Sequence, residues 1–197
     1  MLETVRHVSG WVCGQNPAHS WSPGGELLPL CQRCTGVYVG AFIAALFHLA
    51  WRPAPTTRWL WLNGAFLLLM VPFGFHWIPQ NAELRCGSGI FFGFGLVGFL
   101  RLTLPGNLFR RRRGDEARTD IGDHSEPACV GCYQTFAASL LAALVLPPLL
   151  AENGNATAAG ILVFACVAGA LTLGALLLAN LVYLLRWLAR RISTTAA

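Results

Sequence analysis

"CGQNPAHSWSPGGELLPLCQRCTGVYVG" (residues 13–40) starts as a polar loop and ends as an apolar run. Cys13, His19, Cys31 and Cys34 crowd its polar half. From Thr35 the chain continues as "TGVYVGAFIAALFHLAW" to Trp51 without a charged residue. Such a run approaches the roughly 20 apolar residues that a membrane-spanning helix needs. The stretch therefore points to a membrane protein with metal-ligating or redox-active residue types gathered at the mouth of its first span.

Four more apolar runs follow: Trp59 to Trp77, Gly87 to Leu104, Tyr133 to Leu150, and Ala156 to Leu188. The last is long enough to span with tilt. They are separated by "RPAPTTR", "PQNAELR", the polar "PGNLFRRRRGDEARTDIGDHSEPA" and "AENGN". Composition agrees. The 197 residues are 55% hydrophobic and 12% charged, with a mean hydropathy of +0.54, whereas a soluble domain is about a quarter charged. The expected fold is an all-α integral membrane protein of about five transmembrane helices with a Cys-rich N-terminal extramembrane segment. Its parts are a Cys/His-rich segment (1–34), the first three transmembrane helices (35–104), an Arg-rich polar loop ending in C-x-x-C (105–132), the last two helices (133–188) and a short tail (189–197). "MLETVRHVSGWVCG" lacks the continuous apolar core of a cleavable signal peptide.

The formal charge is +5, and all 14 basic residues are arginine. They sort by membrane side rather than forming a basic face interleaved with aromatics, so nucleic acid is not an expected partner. Five crossings put Arg52, Arg58, Arg110–Arg113, Arg118, Arg186, Arg190 and Arg191 on one side, and Arg6, Arg33 and Arg85 on the other. The positive-inside rule then places the C-terminus in the cytoplasm and the N-terminus outside, in the cell inner (plasma) membrane. Gly36 and Gly40 in the first helix, and Gly89 and Gly93 in the third, have the spacing that lets helix backbones approach closely. Those two helices are expected to touch. No acidic residue falls within a span, which gives a cation-coupled transporter little support.

"CQRC" (31–34) and "CVGC" (129–132) each precede an apolar run. Two thiols three apart at a helix start converge on a metal or close a disulfide, and the helix N-terminus favours the thiolate both need. Cys13 and His19 complete a three-sulfur, one-imidazole set suited to tetrahedral zinc, with "PGG" as the turn between the halves. His76, Cys86, Cys129 and Cys132 form a second tier. Cys166, on an apolar helix, reads as a small buried hydrophobe. The two C-x-x-C pairs fall on opposite sides of the membrane and are not expected to share a site. There is no nucleophile elbow, phosphate loop, dinucleotide fingerprint or metalloprotease helix motif.

Cys13, Pro17, Ser20, Trp21 and then "PLCQRCTGVYVG" resemble a family of bacterial membrane proteins, domain of unknown function 2085. Its pattern is matched by Pro29, Leu30, Cys31, Arg33, Cys34, Thr35, Gly36, Tyr38 and Gly40, and its second block by Asn81, Arg85, Gly89 and Gly93. The family's pattern has His after the first Cys and Arg before the Ser; here these are Gly14 and His19. If the family's Cys-His pair binds metal, this chain has moved the imidazole to position 19 or weakened the site.

The leading expectation is a metal site, zinc, at Cys13, His19, Cys31 and Cys34 in a structural or accessory role. One alternative is an enzyme, a membrane thiol-disulfide oxidoreductase working through Cys31 and Cys34. Another is a subunit or assembly factor of a membrane complex. The bilayer is a partner in every case, and other membrane-protein subunits in the last.

Overall fold

A computed structural model describes residues 2–11, 13–25, 27–51, 56–75, 77–103 and 130–195. His76, Cys129 and most of the Arg-rich loop, including Arg110–Arg113, Arg118 and His124, lie outside the described residues. The helices are α1 (Leu2–Ser9), α2 (Gln32–Trp51), α3 (Thr57–Gly74), α4 (Ala82–Thr103), α5 (Val130–Glu152) and α6 (Ala156–Thr195). Five long helices thus stand where the sequence placed apolar runs. Several begin a turn earlier than hydropathy indicated, because polar residues can fill the first turn. Thr56 caps α3 by accepting from the Trp59 amide, and Asn81 accepts from the Leu84 amide at the head of α4.

Among the described residues, four helices are long and apolar enough to cross a membrane: α2, α4, α5 and α6. The expected second span, α3, is the exception. It has 18 residues, contains Arg58, Asn63 and Pro72, and is about 27 Å long at 1.5 Å per residue, just short of a ~30 Å hydrocarbon core.

The packing nevertheless gives α3 the direction of a crossing helix. Gly36 lies against Cys86, Gly40 against Ile90, and Gly93 against Val37 and Ala41. Numbers rise together on both sides, so α2 and α4 run parallel. Gly98 meets Asn63 while Gly95 meets Phe66 and Leu67, so α3 runs antiparallel to α4. The expected α2–α4 contact is present and is made backbone to backbone. A Cβ on Gly40 would sit 2.6 Å from the Ile90 carbonyl oxygen. In lipid, where water does not drive helices together, such close approach supplies the packing.

Phe136 of α5 is the aromatic hub, with ring centroids 5.3 Å from Phe47, 4.9 Å from Trp59 and 5.6 Å from Phe94. Two arginines tie helix ends. Arg33 at the head of α2 donates to the Phe73 carbonyl and to Gln80. Arg101 near the end of α4 donates to the His48 carbonyl. α6 runs parallel to α2, with Cys166 beside Thr35 and Gly169 against Tyr38. Its Asn180 donates to the Leu100 carbonyl at 3.0 Å.

Candidate metal centre

Residues 13–31 form a loop that returns to its origin. Asn16 caps a 3-10 turn over Pro17–His19, and a second turn, Pro23–Gly25, reverses the chain where the "PGG" was expected to. Gly25 has φ +85°, a conformation open to a residue without Cβ. The Leu28 amide then donates to the Trp21 carbonyl, and Ser20 pairs with Cys31 in an antiparallel bridge. α1 is stitched to the returning strand. Ser9 Oγ donates to the Pro29 carbonyl, Gln15 Nε2 reaches Ser9 and Pro29, and Arg6 donates to the Leu27 carbonyl.

This fold brings Cys13, from the loop, onto Cys31 and Cys34 at the start of α2. The three sulfurs lie within 4.8 Å of one another. Cys13 is buried and the other two are half-buried. The Cys31 amide donates to Cys13 Sγ at 3.4 Å, an interaction that favours a sulfur carrying negative charge. Cys31 immediately precedes α2, so the helix N-terminus adds its partial positive charge. The Cys34 thiol, hydrogen-bonded to Cys31, is the main cause that lowers the Cys31 thiol from 9.0 to about 5, against the opposing effect of burial.

His19 is close by but faces elsewhere, its Nδ1 meeting a guanidinium nitrogen of Arg85. It lines a cavity of about 140 Å³ together with Cys13, Cys31, Arg33 and Arg85. Of the second tier, Cys86 is buried at the α2–α4 seam, outside the three-sulfur group. Cys132 lies in α5, beside Tyr133, which stacks on Trp59. That position is at the far end of the bundle from Cys31.

The sequence did not reveal the place of Cys166. It shares an apolar cluster with Cys13, Leu28, Leu30 and Leu162, and its thiol faces the Thr35 carbonyl oxygen at 4.0 Å. Spacing carries no signal for this contact, which follows from α6 packing parallel to α2.

The family described as "Predicted membrane protein (DUF2085)" matches residues 13–99. An uncharacterized protein of the archaeon Methanothermobacter thermautotrophicus is 31% identical over 94 residues, which are 44% of this chain and 82% of the relative. The chain belongs to this family. The DUF2085 match begins at Cys13 and takes in His19, Cys31, Cys34, Arg85, all of α2 and α3 and α4 as far as residue 99, while α5, α6 and Cys166 lie beyond it. No solved structure matches.

Proposed function

We propose that this DUF2085 protein holds a metal ion, zinc, through Cys13, Cys31 and Cys34, with His19 as fourth ligand. The metal clamps the N-terminal segment onto the head of α2. The observation that carries the reading is the three-sulfur group within 4.8 Å. Tetrahedral zinc with Zn–S bonds of about 2.3 Å spaces its sulfurs ~3.8 Å apart, so the sulfurs need to close by about 1 Å or less. To ligate, the His19 imidazole exchanges Arg85 for the metal. Zinc with three thiolates and a neutral imidazole carries one negative charge. Arg33 and Arg85 line the adjoining cavity, where no carboxylate does among the described residues, and supply the balancing charge. The Arg-poor end that carries this site faces the outside of the cell membrane, with Arg58, Arg186 and Arg190 at the cytoplasmic end.

Elemental analysis of purified protein, with a thiol count before and after reductant, tests this. About one zinc per chain, lost in Cys31→Ser and in Cys13→Ser, supports it. Cobalt substitution checks the donor set by its thiolate charge-transfer bands, and His19→Ala should alter the ligand-field spectrum without abolishing them. A zinc-free protein whose thiols appear only on reduction refutes it, and points to the thiol-disulfide reading instead.

A further inference from the structure

A second cavity, of about 380 Å³, lies beside Thr35, lined by α1, residues 28–30 of the loop, α2 and α6. The volume is in the range of small-molecule sites. Val5, Leu162, Val163, Tyr38 and Cys166 are among its lining residues. Among the described side chains no charged residue lines it, so a carboxylate or ammonium head group would find no partner among them.

One polar group in its wall is out of balance. Thr35 is 1% exposed, and its hydroxyl has no hydrogen-bond partner. A helical threonine usually turns its hydroxyl back onto the carbonyl four residues earlier. Thr135 and Thr172 do so here, at 2.7 and 2.8 Å to Gly131 and Ala168. The other hydroxyls in the lining belong to Thr4, Ser9 and Tyr38, and that of Ser9 is already bonded to the Val5 and Pro29 carbonyls. The rim is apolar, with Val8 65% and Leu171 69% exposed.

We propose that this cavity binds an uncharged, membrane-soluble molecule that places one hydrogen-bond-accepting oxygen on the Thr35 hydroxyl and its apolar body against α6. The site is distinct from the metal centre, although α1 and Leu28–Leu30 in its wall belong to the N-terminal segment that the metal would hold.

Benzophenone is a suitable probe, being uncharged and apolar, with a single carbonyl oxygen and photochemical insertion into nearby C–H bonds. Full-length protein in lipid nanodiscs is irradiated with increasing benzophenone, and adducts are mapped by peptide mass spectrometry. Saturable labelling is expected in residues 28–38 and 162–171. Thr35→Ser should retain the affinity. Thr35→Val, which keeps the shape and removes the hydroxyl, should weaken it about fivefold, the value of one hydrogen bond. Ala170→Phe, placed on the exposed rim, should block the saturable component. Labelling that never saturates, is spread over the outward faces of α5 and α6, or is unchanged by Ala170→Phe would overturn the proposal, as would Thr35→Val binding at wild-type strength. Zinc content measured on the same samples reports the metal centre independently.

Discussion

The α2–α4 seam makes the sharpest stability prediction. In Gly40→Ala the new Cβ would stand 2.6 Å from the Ile90 carbonyl oxygen and 2.9 Å from its Cα. Carbon contacts are comfortable at roughly 3.5–4.0 Å, so the helices must part by about 0.7 Å or more. Both neighbouring atoms are backbone, and no rotamer change relieves them. The opening also loosens the contacts at Gly36, Gly89 and Gly93. Overpacking of this kind costs about 1–3 kcal/mol, which for a chain of this size lowers Tm by roughly 2–12 °C. The control is Gly64→Ala in α3, where a Cβ meets nothing within 4 Å. That change removes a helical glycine and should be neutral or stabilising by up to ~1 kcal/mol. Thermal unfolding in one detergent compares the two. If Gly40→Ala melts with Gly64→Ala, the backbone-to-backbone packing of α2 on α4 is wrong.

Other consequences can be measured on the same preparation. Phe136→Ala removes the ring shared by Phe47, Trp59, Phe66 and Phe94, and should cost about 3–5 kcal/mol; a loss under 1 kcal/mol in denaturant titration would deny it a central place. Asn180→Ala deletes the bond to the Leu100 carbonyl between α6 and α4, with an expected cost near 0.6 kcal/mol and at most ~1.7. In metal-free protein, alkylation of Cys31 should hold its rate as pH falls from 8 to 6 and drop by half near the thiol's value of about 5. Folding lowers this thiol below its ordinary value and raises that of its hydrogen-bonded partner Cys34, so the Cys31 share of stability is lost as pH falls into the acidic range and the Cys34 share as pH rises above the ordinary thiol value. A rate that falls tenfold per pH unit below 8 would mean an ordinary thiol.

Hydropathy exposed the long helices because lipid leaves the backbone no partner but itself, and a helix of apolar residues is the local answer. Gly36, Gly40, Gly89 and Gly93 exposed the α2–α4 contact for a related reason, since only small residues permit it. The Cys13–Cys31–Cys34 grouping was legible from ligand types and one turn signal, "PGG". Three features were not. α3 looked like a full span because its leucines outweigh Arg58, Asn63 and Pro72, yet at 18 residues it is not among the described helices long and apolar enough to cross. The pairing of His19 with Arg85 joins residues 66 apart, through the loop's return rather than any local pattern. The approach of Cys166 to Thr35, across 131 residues, depends on how α6 docks, and an apolar helix gives little indication of which stripe will face inward.

The seam also bears on how the protein can move. A joint made of side chains has some give, because rotamers can hop while the helices slide. Between α2 and α4 the touching atoms are peptide groups, at Gly36, Gly40, Gly89 and Gly93. Rotating α2 by one residue would bring Val37 or Ala41 where only a glycine fits. The pair therefore moves as a single rod, and Cys31 and Cys34 at one end keep a fixed distance from Cys86 on the neighbouring helix. Any change of shape at the sulfur cluster has to come from its other walls, the stitched N-terminal loop and α6.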